Sequence, residues 1–500
     1  MVNIPIGGGG GGEEDDKEVP HVVSSGRHVD SLLAEPLLAG AEIPFHEEQE
    51  GEEEYTSSSG IDELKSPHDG HSTAVQAVSN LVLTSVGAGM LSLPKAYATI
   101  GLVPGVMISL FAGVCTFVCC KTIVVNCAVH SKDSYGGVVG HLFGGIGYTA
   151  LQGSIILHVF GVMVVYMVIL GDILVGDGSS GIIPYVMGYT DVSRTLVVGI
   201  LIVTIIMPML IPRRLDRVGT FSRASVYLIL YVTATLTVLC LVALVQGVSG
   251  IPSVALWPPG GSPLSVMESC LTSFSVTALA FTCHFNLVAV HNSLRDSRVG
   301  VMKGVVKQST FLVTVLYTVV ALAGYVLFGE RVQGDVLKDL TIRFTGMLVG
   351  ETAAMWIISV SLVSYALALQ VNYVLKVWAV RNAVVEVVWG RNEYELTLPA
   401  YYGLTVILVA ASYVVSIFIP SIFTLAALIG STACAIFSYF FPGLMMMYSC
   451  KKSIREVLMG VFAILLSFTM AIFGTMHAIR GMRNPDSDPD GGSNVLGLLF

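Results

Sequence analysis

The sequence contains little charge for its length. Charged residues make up 12% of the 500 residues, hydrophobic residues make up 54%, and the mean hydropathy is +0.76. A soluble domain carries about 25% charged residues, so a set of soluble domains is excluded. The apolar residues form blocks, and several blocks exceed the length that crosses a hydrocarbon core of about 30 Å. Because lipid offers no partner to backbone polar groups, the composition indicates an all-α polytopic membrane protein.

The sequence also lacks the motifs of common enzyme classes. It contains no Gly-x-Ser-x-Gly, P-loop or His-Glu-x-x-His motif and no paired carboxylates in a loop. No basic patch with interleaved aromatics suggests a nucleic-acid partner. None of the nine cysteines has a metal-ligand spacing with a histidine, and all lie in or at the ends of apolar spans. We therefore predict that the protein is not an enzyme, that it holds no cofactor, and that its cysteines are core residues.

The acidic residues are concentrated at the N-terminus. Residues 1–72 hold 17 Asp and Glu against three basic residues, a net charge of −14, whereas residues 73–500 have a net charge of +5. Such an acidic segment cannot bury enough apolar surface to fold alone. Residues 1–72 are therefore predicted to be a disordered acidic tail, and no signal peptide is evident in them. Residues 73–480 are predicted to be a transmembrane domain, and residues 481–500 a short C-terminal tail.

About eleven apolar spans follow the acidic tail. One of them is longer than a bilayer requires, so we expect it to tilt or to project beyond the membrane. The spans lie near residues 73–97, 102–127, 148–175, 195–211, 222–248, 266–290, 302–328, 346–378, 398–419, 421–448 and 455–479.

The basic residues of the loops orient these spans. The loops after even-numbered spans are rich in Lys and Arg, whereas the loop 250–263 has no charge. We therefore predict that the even loops and the N-terminal tail face the cytosol and that residues 481–500 do not. The basic residues assigned to the even loops are Arg213, Arg214, Arg217, Arg223, Arg295, Arg298, Lys303, Lys307, Lys376, Arg381, Arg391, Lys451, Lys452 and Arg455.

The first span carries helix-weakening residues in its middle. Gly87, Ala88 and Gly89 lie at mid-span, and Pro94 follows them. Glycine weakens a helix and permits close backbone approach, and proline removes a donor and kinks the helix. The pattern favours a discontinuous helix, whose free amides could bind a carboxylate and whose free carbonyls could bind a cation. Close packing of helices through small residues is the alternative.

Polar residues interrupt two later spans. Thr282, His284 and a nearby asparagine lie in the sixth span, where they are costly unless they face protein or water. The offset of five spans from the first irregular segment is that of two inverted five-helix repeats. His284 is a candidate proton carrier, with a wetted helix end as the alternative. In the eighth span, Ser361 and Ser364 share a face and could ligate sodium or bond to helix carbonyls.

Several segments resemble the amino acid/auxin permease family. Residues 80–93 (NLVLTSVGAGMLSL) resemble its first-helix motif, and residues 280–296 (AFTCHFNLVAVHNSLRD) resemble its sixth-helix signature. The likeness covers roughly residues 73–480, and the nearest members are sodium-coupled neutral amino acid transporters and plant vacuolar amino acid transporters. Three further matches, to the third, seventh and tenth helices, are residues 169–176 (ILGDILVG), 325–329 (YVLFG) and 430–442 (GSTACAIFSYFFP).

The resemblance implies a LeuT-like fold of five plus five inverted helices and one more. It implies that backbone amides hold the substrate carboxylate and that a second set of residues lines the pocket for the substrate side chain. The carboxylate-binding set is Gly87, Ala88 and Gly89, and the pocket set is Phe281, Thr282 and Cys283.

The resemblance also implies a cation site between the first and eighth helices. Asn80, the carbonyl of Val86 and the hydroxyl of Ser361 match its ligands, and Ser364 shares the face of Ser361. The family's eighth helix usually carries a Pro and, later, an Arg, where this sequence has Val363 and Gln370. Coupling to Na⁺ and coupling to H⁺ therefore both remain open, and we expect no metal other than a coupling Na⁺.

These features together predict a secondary active transporter of small neutral amino acids that works by alternating access and is driven by an ion gradient. The pocket residues are uncharged, which favours a neutral substrate. The alternative is an amino-acid sensor that signals through the acidic tail to a cytosolic partner. The sequence has no Asn-x-Ser/Thr site, and together with the likeness to vacuolar members this favours a vacuolar or lysosomal-type endomembrane over the plasma membrane.

Overall fold

The computed structural model of the chain describes ten stretches, and within them the backbone is almost entirely helical. The N-terminal residues 1–57 of the predicted tail and the predicted C-terminal tail, residues 481–500, lie outside them. The described stretches are residues 58–65, 70–176, 181–188, 192–212, 219–247, 254–390, 396–419, 421–448, 453–476 and 479–480.

Nineteen α-helices follow one another in the described residues, joined at several points by short 3₁₀ or π turns. The helices are α1 Ser58–Glu63, α2 Ala74–Ser85, α3 Leu93–Ile100, α4 Leu102–Val129, α5 Tyr135–Leu174, α6 Ile182–Met187, α7 Arg194–Leu201, α8 Met207–Leu210, α9 Gly219–Gln246, α10 Pro263–Ala280, α11 Leu287–Asn292, α12 Val299–Phe328, α13 Val336–Asp339, α14 Ile342–Val349, α15 Glu351–Trp389, α16 Leu398–Ile417, α17 Ile422–Ile429, α18 Phe441–Tyr448 and α19 Ile454–Thr469.

The helices confirm a polytopic helical membrane protein. Among the described residues, eight helices are long and apolar enough to cross a membrane, and two bent pairs raise this number to ten. One pair joins α2 to Gly89–Ile100 with a bend of 56°, and the other joins Ile422–Cys434 to Ile436–Tyr448 with a bend of 41°. A shorter apolar helix, Arg194–Leu210, occupies the position of the span predicted at 195–211.

The eighth span differs from its predicted bounds. The prediction placed one span near 346–378, but α14 ends at Val349 and is followed by Gly350, whose positive φ of 84° favours glycine. The following helix, α15, then runs for 39 residues to Trp389. Lys376 and Arg381 therefore lie on this helix, and their assignment to a cytosolic loop was wrong.

Aromatic side chains allow α15 to bury its arginine. Arg381 is completely buried, and its guanidinium carbon lies 3.9 Å from the centre of the Tyr401 ring and 4.8 Å from that of Trp378. A planar guanidinium stacks well on aromatic faces. The same group donates a hydrogen bond of 2.9 Å to the hydroxyl of Thr405 on α16. A sequence rule that counts Lys and Arg as loop residues misses such a buried cation.

The core of the bundle lies around α5 and α10. In the most apolar windows of α5 and of Pro263–Asn292, which contains α10, 72% and 83% of the residues are buried, against 22% in α16 and 28% in Ile454–Gly474. The helix α15 packs against α5 and α9, and α12 packs against α4 and α2. The helices that carry the predicted site are therefore surrounded by protein, whereas α16 and α19 turn apolar side chains outward.

The first span is broken at the predicted glycines. It begins with a capping box, in which the Thr73 hydroxyl accepts from the Gln76 amide and the Gln76 side chain accepts from the Thr73 amide. Its first helix, α2, ends at Ser85, and Gly87 is fully extended with φ −159° and ψ −150°. A 3₁₀ turn, Ala88–Ser92, then leads into α3, which places proline in its first turn, where no amide donor is lost. This confirms the predicted discontinuous helix.

Candidate functional site

The sixth span is interrupted at the level predicted from its polar residues. Helix α10 ends at Ala280, and Cys283 has φ −129° and ψ −2°, outside the helical range. A 3₁₀ turn, His284–Asn286, then leads into α11. Two membrane spans thus expose backbone groups in their middle, a geometry that discontinuous helices use to bind substrates and ions.

The two breaks touch each other through backbone. A Cβ placed on Gly89 would lie 3.0 Å from the Cα atom of Ala280, so a side chain here would force the two breaks slightly apart. On the other side of the break, a Cβ placed on Gly87 would lie 2.4 Å from the hydroxyl of Tyr166 on α5. Gly87 and Gly89 therefore pack closely against other segments, as the alternative interpretation of the sequence predicted. The helix is also broken at this position.

Hydroxyl and amide side chains hold both breaks. Tyr365 on α15 donates a hydrogen bond of 3.2 Å to the carbonyl oxygen of Gly87. The Asn286 amide donates one of 2.9 Å to the hydroxyl of Thr84, and so joins the second break to the end of α2. Tyr317 on α12 reaches the end of each broken helix. Three side chains from three different segments thus fix the broken backbone.

A small cavity lies between the two breaks, α5 and α15. Its volume is about 30 Å³, which is room for about two water molecules. An amino acid needs more room than two water molecules, so the cavity must widen to admit one. The lining residues are Thr84, Ser85, Gly87, Gly89, His158, Val162, Val165, Tyr166, Leu279, Ala280, Thr282 and Lys376.

The predicted substrate residues divide into lining and supporting positions. Gly87, Gly89 and Thr282 line the cavity, and Ala88, between the two glycines, is the first residue of the 3₁₀ turn Ala88–Ser92. Phe281 does not line it; its side chain is buried, with its ring edge-to-face on Tyr317 at a centroid distance of 5.1 Å. Cys283 is also buried away from the cavity, with its sulfur 3.8 Å from that of Cys120.

The predicted ion-binding residues differ in their burial. Val86 caps the end of α2 and is buried, and Ser361 and Ser364 are buried on α15. The hydroxyl of Ser361 has no hydrogen-bond partner among the described residues, as expected of an oxygen held ready for a ligand. Asn80, by contrast, is an exposed residue of α2. The predicted proton carrier, His284, is buried at the second break, and neither ring nitrogen has a partner in the described part of the chain.

Comparison with known proteins decides the family. The model of the family described as transmembrane amino acid transporter protein matches residues 70–483. The chain belongs to this family. Its members are named as transporters, so the protein is a transporter and not an enzyme.

Named relatives agree with this family, and one solved structure shares the fold. The chain is 26% identical over 420 residues to the amino acid transporter AVT6E of Arabidopsis thaliana, covering 82% of this chain and 83% of the relative. It is 26% identical over 382 residues to the vacuolar amino acid transporter 5 of Schizosaccharomyces pombe, covering 75% and 84%. The crystal structure of MhsT in complex with L-phenylalanine matches with a TM-score of 0.52 at 12% identity, covering 82% of this chain and 98% of MhsT. At that identity the match shows a shared fold.

Two basic residues of the transporter's cavity were not predicted as site residues. His158 on α5 and Lys376 on α15 both line it. The ammonium of Lys376 lies 4.9 Å from the centre of the Phe285 ring, a cation–π distance. Lys376 follows Tyr365 by eleven residues, which is about three helical turns, so both lie on one face of α15. Lys376 lies inside the span predicted near 346–378, so following the face of Tyr365 to the end of that span would have found it.

A buried ion network lies beside the first break of the transporter. Asp172 on α5 pairs with Arg194 at 2.7 Å and with Lys338 on α13 at 3.1 Å. Asp335 is also buried, and its burial, together with the charge of Asp172, raises the pKa of its carboxyl to about 7. The neighbouring Gly334 carbonyl accepts a hydrogen bond of 2.8 Å from the hydroxyl of Ser92, in the first break. Asp335 therefore follows directly after a residue, Gly334, that is hydrogen-bonded to the first break.

Proposed function

We propose that the protein is a secondary active transporter of small neutral amino acids that works by alternating access. The observation that supports this most directly is the meeting of two broken membrane helices at one cavity. Gly87, Gly89, Ala280 and Thr282 line it from both breaks. Backbone amides at the first break would hold the substrate carboxylate, and the second break would contact its side chain. In the arrangement we propose, five plus five inverted helices and one more surround this site.

The lining of the cavity supports the neutral substrate class. The lining residues include no Asp or Glu, and they include one lysine, Lys376. A cationic side chain would meet the lysine ammonium without a carboxylate to offset it, which disfavours its binding. The rest of the lining is apolar or hydroxyl-bearing, as suits a small zwitterion with an uncharged side chain.

The proposed coupling ion is Na⁺ or H⁺, and each has its own candidate groups. The buried Ser361 hydroxyl, which lacks a partner among the described residues, and the Val86 carbonyl at the end of α2 favour a hard cation such as Na⁺. The ionisable residues Lys376 and His158 in the cavity, with His284 beside it, favour H⁺. A symporter needs only one of these routes.

The names of the relatives indicate which membrane contains the transporter. The matched protein of Schizosaccharomyces pombe is named as vacuolar, and we propose that this transporter also resides in a vacuolar or lysosomal-type endomembrane. We place its N-terminus in the cytosol, as the loop charges indicate. Its partners are then a neutral amino acid, membrane lipid and any cytosolic protein that binds the acidic tail.

The contacts of α1 and Ser72 favour the second candidate function, a sensor that signals through the tail. The short helix α1 packs on the beginning of α12, where Lys303 pairs with Asp62 and Arg298 with Glu63. The backbone of Ser72 pairs with that of Ser293 and Arg295, just after α11. The last described residues of the predicted tail, 58–65 and 70–72, are thus attached to the segment that follows the sixth span. Movement of that span on binding an amino acid would reach the tail.

The test is uptake of radiolabelled neutral amino acids into proteoliposomes that contain the full chain. A sodium gradient and a proton gradient are imposed in separate experiments. We expect accumulation above equilibrium under one of them, and loss of accumulation when that gradient is collapsed. Substrate binding without accumulation under either gradient would reject the transporter and favour the sensor. The sensor then requires that a chain lacking residues 2–57 still binds amino acid but loses its cytosolic partner.

A further inference from the structure

Three side chains with metal-binding chemistry converge beside the second break. Cys120 lies in the middle of α4, whereas Cys283 and His284 are consecutive residues of the break. The sulfur atoms of Cys120 and Cys283 are 3.8 Å apart, and the ligand atoms of all three residues lie within 4.8 Å of one another. We infer that Cys120, Cys283 and His284 form a binding site for Zn²⁺.

The spacing of the two sulfurs fits the geometry of zinc. Zinc binds thiolate sulfur at about 2.3 Å in a tetrahedral arrangement, which places two bound sulfurs about 3.8 Å apart. The thiols of Cys120 and Cys283 already have this separation. Two of the ligands are neighbours in sequence, and neighbouring side chains on an α-helix diverge by about 100°. Cys283 and His284 converge because the helix is interrupted where they lie.

The histidine of this cluster supplies independent evidence for a ligand. The side chain of His284 is buried, and neither of its ring nitrogens has a hydrogen-bond partner among the described residues. A buried polar atom without a partner is costly, and most such atoms in proteins find one. A metal ion bound to one nitrogen would satisfy it. The two cysteines are equally enclosed, so water does not compete for the sulfurs.

The charge of the site selects a divalent ion. On binding, each thiol releases its proton, and two thiolates with a neutral imidazole balance the charge of one Zn²⁺. The complex then has no net charge, which suits the interior of a membrane span. A monovalent soft ion such as Cu⁺ would leave a net negative charge. Hard ions such as Na⁺, Mg²⁺ and Ca²⁺ prefer oxygen ligands.

Bound zinc would join α4 to the broken sixth span. Thr282, the residue before Cys283, lines the cavity between the breaks. A metal bridge would fix the position of this segment, which the proposed transport cycle requires to move. This consequence rests on the proposed function, and it predicts that Zn²⁺ inhibits uptake and that a chelator restores it. The existence of the metal site does not depend on uptake, because metal binding is measured separately.

The first experiment uses Co²⁺ as a spectroscopic probe on the full chain in lipid nanodiscs, with a phosphine reductant to keep the thiols reduced. We expect thiolate-to-cobalt charge-transfer absorption equivalent to one ion per chain, abolished by Zn²⁺. Cys120→Ser, Cys283→Ser and His284→Gln should each weaken binding by about 100-fold or more. Cys119→Ser and Cys434→Ser are matched controls, because both cysteines are buried nearby but lie outside the cluster. They should bind like the unmodified chain.

A second experiment needs no variant and so avoids any failure of a variant to fold. Zn²⁺ should protect Cys120 and Cys283 of the unmodified chain from alkylation, read by peptide mass spectrometry, while Cys434 is not protected. No cobalt absorption in the unmodified chain, or a measurable alkylation rate of Cys120 and Cys283 that Zn²⁺ leaves unchanged, would overturn the site. Cobalt binding in a chain that transports no amino acid would support the site and reject the proposed function. Cobalt binding with uptake insensitive to Zn²⁺ would reject the inhibition alone.

Discussion

The hydroxyl oxygen of Tyr317 lies 2.7 Å from the carbonyl oxygen of Ser85, the last residue of α2. The same oxygen lies 2.9 Å from the carbonyl oxygen of Ala280, the last residue of α10. A phenol has one proton, so a single hydroxyl is shared between the ends of both interrupted helices. Tyr317 is completely buried. The relative position of the two breaks therefore depends on this side chain.

We expect Tyr317→Phe to lower uptake below that of a control variant that loses a buried tyrosine hydroxyl elsewhere. The substitution keeps the ring but leaves the carbonyls of Ser85 and Ala280 without their donor, at a cost of about 1–3 kcal/mol. Tyr373→Phe is a matched control, since Tyr373 is equally buried and its hydroxyl lies 2.7 Å from that of Ser412, away from the breaks. Thermal unfolding and proteoliposome uptake of both variants are compared. A Tyr317→Phe transporter with uptake no lower than the control would contradict the assignment.

Alanine at Gly89 should reduce uptake strongly without preventing membrane insertion. The added methyl would lie 3.0 Å from the Cα atom of Ala280, and backbone cannot turn aside as a side chain can. The breaks must then separate slightly, and because a misplacement of about 1 Å can lower a rate by about 100-fold, we expect uptake to fall by about tenfold. Gly403→Ala is the control, because nothing lies within 4 Å of a Cβ placed there. Uptake by Gly89→Ala equal to that of Gly403→Ala would show that the close approach is not needed.

Alanine at Gly87 should be a weaker defect that a second substitution repairs. The added methyl would lie 2.4 Å from the Tyr166 hydroxyl but 3.4 Å from the ring carbon that carries it. Removal of that hydroxyl in Tyr166→Phe relieves the closest contact. We therefore expect the double variant to take up more substrate than Gly87→Ala alone, measured at equal protein in proteoliposomes. Absence of any rescue would place the defect elsewhere.

Lys376→Gln should broaden the substrate range toward cationic amino acids. The change removes the positive charge from the cavity lining and keeps much of the side-chain length. We expect arginine and lysine to compete with labelled neutral substrate in this variant and not in the unmodified transporter. Lys307→Gln, at an exposed position of α12, serves as the control. Unchanged competition in Lys376→Gln would contradict a role of this charge in substrate selectivity.

Acid should stabilise the segment around α13 through Asp335. The pKa of this carboxyl is about 7 in the folded protein and about 3.9 when unfolded. Between these values the folded state binds more protons, so its unfolding free energy falls as pH rises, by up to about 4 kcal/mol in all. The loss is complete above pH 7 and absent below about pH 4.

Hydrogen–deuterium exchange of α13, corrected for intrinsic rates, measures this effect. The charged groups around Asp335 are Asp172, Lys338 and Asp339. Asp335→Asn should remove the pH dependence of protection, and Asp296→Asn in the distant loop after α11 should leave it intact. If protection instead increased with pH in the unmodified protein, the direction of the pKa shift would be wrong.

The sequence by itself predicted most of the membrane spans. The length and hydropathy of an apolar segment are local properties, so the prediction of 102–127 agrees with α4 and that of 398–419 agrees with α16. It was wrong where a helix continues beyond its apolar part. Arg381 read as a loop residue because its burial depends on the ring of Tyr401, which only the fold brings near, and the half-buried Lys376 lies against the ring of Phe285 for the same reason.

The sequence predicted only part of the candidate site, because local patterns show where a helix breaks but not what the break contacts. The helix-breaking residues around Gly87 and the polar residues around Thr282 signal irregular backbone from sequence alone, and both breaks are present. Asn80 matched a family motif, yet its side chain lies on an exposed face of α2. Which residues of a helix face its neighbours depends on packing, which a motif does not encode.

Local sequence thus determined that this chain spans a membrane many times and breaks two of its helices, because hydropathy and helix propensity act over a few residues. Only the tertiary structure decided what those breaks meet. It placed one tyrosine between Ser85 and Ala280, and it brought Cys120 within 3.8 Å of Cys283, 163 residues later in the chain. Such contacts arise from the packing of helices that are distant in sequence, and no local pattern records them.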